Sequence, residues 1–410
     1  MQHSTQVRLL EELIAKVQNN QTADAGSLVK NPAESYTDAK LAEREWSAFF
    51  REHPQIIGLS GDLPKANSYF TIEEFGTPIL ATRDESGRFR TFLNACSHRA
   101  TQLTDEKRGE TPRFVCPFHG WSYAIDGSLL AVTENSHYGN INKKCNGLKE
   151  LPSCEKYGLL WVHPQPDGAI DISQLLGSLG SELQNWDISA HQYTGSRILK
   201  KRMNWKLAND TFGETYHFAR LHRQTLGKTQ IGEALACESV GRNHRAVFPT
   251  KKILKLLDKP KSNWHIDRAA TVLYYLFPNI QLVVSKRQVT LFRIYPCGPD
   301  PKQSTTHVSH YFSGEALAQI KTGENTVIDD TNVYEQQARD GNAIISPQAA
   351  MEIIESTVDL EDFKMGESTQ RNIESGLVPY VFFGRNEAPL HHFHNNFRKA
   401  LDMPMLESVD

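Results

Sequence analysis

Residues 94–123 read NACSHRATQLTDEKRGETPRFVCPFHGWSY, and the fold turns on how this stretch is understood. Metal-binding side chains stand at both of its ends: Cys96-x-His98 and, 17 residues further on, Cys116-x-x-His119. Each pair follows a run of β-prone residues, so each is expected on a loop at a strand end, and two such loops can converge. Four unrelated residues are a poor account of two matched loops in one β region. Two arrangements use this ligand set. In a [2Fe–2S] cluster the thiolates hold one iron and the imidazoles the other, which raises the potential above that of a four-cysteine cluster. A tetrahedral zinc site uses the same ligand count, although C-x-H is not its usual C-x-x-C spacing.

Around these loops the sequence alternates short β-prone runs with turns. GTPILATRDESGRFRTFLNA predicts strands at Pro78–Thr82 and Phe89–Leu93 about a turn at Asp84–Gly87. RFVCPFHGWSYAIDGSLLAV predicts two more, joined at Asp126–Gly127, a strong short hairpin signal. YGLLWVHP closes the block near residue 165. Two helices precede it. The first carries Val7, Leu10, Leu13, Ile14 and Val17 on one face, for packing on its own domain or against another subunit. The second starts with Thr37 as N-cap and turns Leu41, Trp46, Phe49 and Phe50 inward. After residue 166 longer helical segments mix with strands. The expected class is therefore α+β: an all-β domain (55–166) inserted into a larger domain made of N-terminal helices (1–54) and residues 167–410.

A chain of 410 residues with 39% hydrophobic and 23% charged side chains suits a two-domain globular protein. A net charge of −3 speaks against a nucleic-acid binder. No apolar run is long enough to span a bilayer, and the amphipathic start does not resemble an export signal, so a cytoplasmic location is expected. In that reducing compartment the six cysteines should be unpaired. Cys145, Cys154, Cys237 and Cys297 have no partner at ligand spacing and read as small buried residues.

A second constellation lies in NWKLANDTFGETYHFARLH (204–222), which is helical in character. Asp210, Glu214 and His217 would share one helical face, while His222 would turn off it unless the helix is locally widened. Taken alone this is a weak metal signal, because helical histidines are more often surface or core residues.

NACSHRATQL and CPFHGWSY resemble the two cluster-binding loops of the Rieske family, in its oxygenase branch. Phe118 sits between Pro117 and His119, RATQL (99–103) contains no cysteine, and H-G-W at His119–Trp121 is typical of oxygenases. The resemblance implies a Rieske [2Fe–2S] domain with Cys96 and Cys116 on one iron and His98 and His119 on the other. It extends over nearly the whole chain and implies a helix-grip-like α+β catalytic domain with a mostly antiparallel sheet. There His217 and His222 would bind a mononuclear Fe(II). The later segment EDFKMGESTQ (361–370) makes Asp362 the carboxylate ligand, with Asp359 and Glu361 as competitors in register. Two histidines and one carboxylate leave positions open for O2 and substrate.

Glu214 is implied as an acid bridging His217 to a cluster histidine, His119, across subunits of a trimer, with Asp210 as a group behind the ligands. The family usually has aspartate where Glu214 stands; glutamate occurs there in relatives that oxidise quaternary ammonium compounds. Nothing in the chain resembles a nucleotide-binding glycine loop, so electrons would come from a separate NAD(P)H-dependent reductase, directly or with a ferredoxin. The implied function is hydroxylation of an aromatic or alicyclic compound, in a pocket near Phe212 and Leu273–Phe277. The alternatives are oxidative demethylation or C–N cleavage by the same sites, or a Rieske electron carrier without oxygenase activity. His391, His392 and His394 match no ligand and read as surface or packing residues.

Overall fold

The computed structural model describes residues 1–139, 141–322, 326–327, 334 and 344–409. They form two compact units: Glu45–Asp171 with Ile188–Ala190, and Met1–Arg44 with Ile172–Asp187 and His191–Asp410. The smaller unit starts ahead of the expected Gln55, because the side chain of Gln55 donates to the Phe49 carbonyl at 2.7 Å and ties the turn Trp46–Arg51 to the strand Gln55–Leu59.

The smaller unit is built from antiparallel hairpins. One sheet of five strands runs in the order Glu150–Leu151, Phe89–Leu93, Ile79–Arg83, Ser68–Ile72, Arg108–Glu110. A sheet of three strands joins Arg113–Val115, Ser122–Ala124 and Leu129–Ala131. Its second turn falls at Asp126–Gly127, where Gly127 takes φ +86 and the Asp126 carboxylate accepts from the Ser128 amide at 2.9 Å. A side chain at Gly127 would run into the Phe92 ring, so sterics as well as dihedral require glycine there. Tyr69, Phe92, Phe114, Trp121 and Tyr123 fill the core beside Cys96 and Cys116.

The larger unit carries a seven-stranded antiparallel sheet in the order His191–Lys201, Asp300–Ser313, Gln288–Cys297, Ile280–Val284, Ala270–Leu276, Asn243–Pro249, Ala236–Val240. Residues opposite one another share a face, so Leu273, Val283, Thr290 and His310 form one row across four strands. Helix Trp205–Asp210 lies on that face: Gln281 donates to Asn209 at 2.9 Å, and Phe212 packs on Phe292. The first helix, His3–Asn19, buries Leu9, Leu10, Leu13 and Ile14 and packs on strands and turns of its own unit.

Three local expectations need correction. The second helix is capped by Asp38, which accepts from the Leu41 amide at 2.8 Å, not by Thr37. Residues 204–222 do not form one helix: Trp205–Asp210 is α-helical, and Tyr216–Ala219 is a separate 3-10 turn. Gly213 lets the Leu390 side chain press against the backbone between them, and the helix stops there. Of the four cysteines outside the cluster loops, Cys145 and Cys297 are exposed rather than buried. Among the three late histidines, His391 and His394 are buried in the helix Ala388–Ala400 and are packing residues, one of the two roles expected of them.

Candidate metal centres

In the smaller unit the Cys96–His98 and Cys116–His119 loops stand side by side. The rings of His98 and His119 have centroids 4.7 Å apart, and Trp121 stacks on His98 at 4.9 Å, which fixes its plane. Gly120 adopts φ +72, so the chain reverses directly after His119. Cys96 Sγ lies 3.0 Å from the Tyr123 hydroxyl, which also accepts from the Ser97 amide at 3.1 Å. The Nδ1 atoms of both His98 and His119 are buried without a hydrogen-bond partner. Desolvation, with His119 and Arg99 beside it, holds His98 below the usual imidazole value, in the neutral form a metal requires.

This geometry separates the two arrangements that use the ligand set. Ligands of one tetrahedral zinc lie about 2.0–2.3 Å from the ion and so crowd one another. Among the described residues, the three that gather their ligand atoms within 4.8 Å of one another are His217, His222 and Asp362, and no three of the cluster-loop residues do so. Four donors spread wider than one ion can reach suit a two-iron cluster.

The larger unit brings His217, His222 and Asp362 together. His217 comes from the 3-10 turn Tyr216–Ala219 and His222 follows it, while Asp362 ends a π-turn, Glu355–Asp362. The widened turn expected near the histidines is thus found on the carboxylate's element. Asp362 Oδ1 sits 3.4 Å from His217 Nε2 and 3.0 Å from His222 Nε2. Neither Nε2 makes a hydrogen bond of proper geometry, and both are buried. The opposite nitrogens are held by carboxylates: His217 Nδ1 by Glu214, and His222 Nδ1 by Glu361 at 2.6 Å. A carboxylate on Nδ1 keeps that proton in place, so Nε2 is the nitrogen that can give up its proton to a metal at the shared centre. Burial opposes protonation of His217, but Asp362 and Glu214 outweigh it and lift its pKa to about 9. The same balance, with Asp362 and Glu361 as partners, raises His222.

The three segments are fixed by contacts distant in sequence. Arg197 pairs with Glu355 and Lys201 with Asp359, pinning the π-turn to the edge strand His191–Lys201. Glu367 accepts from the Arg202 amide at 2.9 Å and Gln370 from the Asn204 amide at 3.0 Å, so the helix after Asp362 grips the chain ahead of the histidines. Thr215 donates to the Gly232 carbonyl at 2.7 Å and holds the start of the His217 turn. Of the register competitors, Asp359 is engaged by Lys201 and Glu361 by His222, and neither joins the group that holds Asp362.

Asp210 belongs to a different network. It accepts from the Tyr36 hydroxyl at 2.7 Å and from His394 at 2.8 Å. Sequence reading missed Tyr36, His394 and the hold of Glu361 on His222, because each contact joins residues that no spacing rule connects. Of the expected pocket residues, Phe212 and Leu273 belong to an apolar cluster with Phe218, whose ring lies 5.5 Å from that of His222. Phe277 is instead covered by the Arg242 guanidinium at 4.2 Å.

Residues 188–403 match the family of ring hydroxylating alpha subunits in their catalytic domain, and residues 53–152 match the Rieske [2Fe–2S] domain. The chain belongs to the Rieske oxygenase alpha-subunit family. It is similar to the chloroplastic choline monooxygenase of Spinacia oleracea, at 26% identity over 88% of this chain and 76% of the relative. It is also similar to the glycine betaine monooxygenase oxygenase subunit of Chromohalobacter salexigens, at 26% identity over 48% of this chain and 43% of the relative. Among solved structures, the quaternary ammonium Rieske monooxygenase CntA with L-carnitine superposes with a TM-score of 0.70 at 18% identity, over 94% of this chain and 97% of that one. Naphthalene 1,2-dioxygenase of Rhodococcus sp. gives 0.67 at 17% identity, over 96% and 98%. These likenesses establish the fold.

This Rieske oxygenase carries a [2Fe–2S] cluster and a mononuclear iron, and its donors fit both. Partnerless Nδ1 atoms beside two buried thiols suit the cluster, and two partnerless Nε2 atoms facing one carboxylate oxygen suit the single ion. When bound, the cluster supplies electrons singly and the mononuclear iron supplies the site of O2 activation. The chain's own contribution is to orient the imidazoles through Glu214 and Glu361 and to set an apolar wall at Phe218. Members of the family work with a separate electron-transfer partner and as multimers. Among the described residues no helix is long and apolar enough to cross a membrane.

Proposed function

We propose that this oxygenase oxidises a carbon bonded to nitrogen in an N-methylated substrate. Cys96 and Cys116 hold one cluster iron, His98 and His119 the other, and His217, His222 and Asp362 the mononuclear iron. In this reading Glu214 carries the connection between His119 of the partner subunit and His217 within a homotrimer. Two electrons come from a separate NAD(P)H-dependent reductase, directly or through a ferredoxin. The observation that carries the reading is Glu214 bound to His217 Nδ1, a glutamate where ring-dihydroxylating relatives usually have aspartate. The relatives' printed names support the N-methylated substrate class, with choline, glycine betaine and an N,N-dimethyl phenylurea named for them, and the last is named as an N-demethylase. None of the six cysteines is paired in a disulfide, in keeping with a cytoplasmic setting.

In such a step an N-methyl group, O2, two electrons and two protons give an N-hydroxymethyl group and water. One C–H bond is broken and one C–O bond formed, and the second oxygen atom leaves in the water. The carbinolamine then collapses: its C–N bond breaks, the nitrogen takes the hydroxyl proton, and the demethylated amine and formaldehyde separate. The test is turnover of N,N-dimethylaniline with reductase, with O2 uptake and formaldehyde followed together. Formaldehyde in a one-to-one ratio with O2 supports the reading, and a vicinal diol without formaldehyde overturns it. Hydroxylation of an aromatic or alicyclic ring is the second reading, favoured by the apolar cluster of Phe212, Phe218 and Leu273.

A further inference from the structure

Beside the ligands of the smaller unit stands one buried phenol. The Tyr123 hydroxyl meets three atoms: Cys96 Sγ at 3.0 Å, the Ser97 amide at 3.1 Å and Ser97 Oγ at 2.9 Å. A fourth contact settles who donates to whom. Ser97 Oγ lies 2.8 Å from the Asn146 carbonyl, which can only accept. The one Ser97 proton therefore points at Asn146, and between the two hydroxyls Tyr123 is the donor. The Ser97 amide donates to the Tyr123 oxygen and occupies its acceptor side. Cys96, as a thiolate ligand, only accepts. The single Tyr123 proton is thus left with two acceptors within reach, Cys96 Sγ and Ser97 Oγ.

Asn146 is itself held in place. It closes the short 3-10 turn Lys143–Cys145, whose other end is capped by Asn142 accepting from the Lys144 amide at 3.1 Å. The Asn146 side chain donates back to the Asn142 carbonyl at 2.8 Å. Two residues on, Leu148 enters the same core as Cys96 and Tyr123. The turn therefore fixes the Ser97 hydroxyl with its proton outward and its lone pairs toward Tyr123.

We propose that Ser97 sets the potential of the cluster by competing with the Cys96 thiolate for the Tyr123 proton. Hydrogen bonds to cluster sulfurs tune the potential, and a donor on sulfur favours the reduced form, whose sulfur carries more negative charge. In the oxidised protein Ser97 Oγ draws part of that bond away. Reduction makes Sγ the stronger acceptor, and the hydroxyl turns toward it about its C–O bond. No covalent bond breaks and no proton leaves Tyr123. The electron supplied by the reductase therefore enters against a donor that Ser97 must first release, which lowers the potential. Ser97 is a positioning residue that acts through Tyr123.

This role rests on Cys96 as a cluster ligand, and the two can fail separately. A Cys96→Ala chain that keeps the wild-type Rieske signal would refute the ligand, whatever Ser97 does. The test of Ser97 is an EPR-monitored redox titration of the full chain with both metal centres loaded. Residue 97 is exposed on its outer side, so Ser97→Val is the variant of choice, because it removes the oxygen and leaves no room for water. Its equilibrium constant for reduction should rise roughly threefold, part of one charge-assisted hydrogen bond. Tyr123→Phe should lower the constant about tenfold, or about 59 mV for one electron. Adding Ser97→Val to Tyr123→Phe should change nothing more, and Ser97→Thr, which keeps the hydroxyl, should titrate as wild type. Should Ser97→Val not retain its cluster, Ser97→Ala is read in its place with the same outcomes. An unchanged or lower potential in the Ser97 variant, or a rise that persists without the Tyr123 hydroxyl, would overturn the proposal.

Discussion

Replacing Glu361 by alanine should loosen the mononuclear iron while leaving the cluster intact. Glu361 Oε2 accepts from His222 Nδ1 at 2.6 Å and from Thr225 Oγ1 at 2.8 Å. A hydrogen bond to an ionised group contributes about 1.5–3 kcal/mol. The Glu361 side chain is 23% exposed, which puts the loss near the lower end, about 1.5–2 kcal/mol. At about 1.4 kcal/mol per factor of ten, iron affinity should fall roughly 10- to 30-fold, within the range usual for outer partners of metal-bound histidines. Glu361→Gln keeps an acceptor without the charge and should lose roughly half as much free energy. The assay is anaerobic competition against a coloured Fe(II) chelator, with the EPR signal of the reduced cluster as internal control. Wild-type iron affinity in a folded Glu361→Ala protein would refute the assignment of Glu361 as the group that aims His222.

Glu214→Gln should retain both metals yet slow electron transfer in single turnover; an unchanged rate would remove the bridging role. Since the metal-free pocket lifts His217 to about 9, iron must displace a proton below that pH. Its affinity should climb roughly tenfold per pH unit from 7 toward 9, and a flat profile would contradict this. The same raised value stabilises the metal-free fold below its unfolded-state pKa of about 6.5, and that contribution disappears as pH passes 9. Tyr36→Phe removes the hydroxyl that donates to Asp210 at 2.7 Å and accepts from Asn31 at 2.9 Å. Denaturant midpoints should report a loss of about 1–3 kcal/mol. Gly232→Ala would set a Cβ 2.1 Å from the Thr215 carbonyl oxygen, so it should shift the His217 turn and cost mononuclear iron before cluster iron, as metal analysis would show.

The smaller unit was legible because its chemistry is local. The cluster ligands sit within two short motifs, and the Asp126–Gly127 turn declares itself by residue type. The triad was legible only through family resemblance. Read by helical period, Asp210, Glu214 and His217 share a stripe, whereas the chain breaks at Gly213 and Asp210 turns to Tyr36 and His394 instead. Glu361 stood in the sequence only as a register competitor of Asp362, and only the tertiary fold brings it to a histidine 139 positions away.

Asp362 reaches its position at the end of a π-turn that sits between two α-helical stretches, Pro347–Ile354 and Phe363–Glu374. Such a turn holds more residues per revolution than an α-helix, and each α-helical residue advances the chain by about 100°. Deleting one residue between Ser356 and Leu360 would let the ladder close as ordinary helix and would rotate Asp362 away from the histidines. Every ligand would still be encoded, and so would Glu361 and Gln370. Ligation here is thus written partly in chain length, and substitution scanning, which keeps length constant, would pass over the requirement entirely.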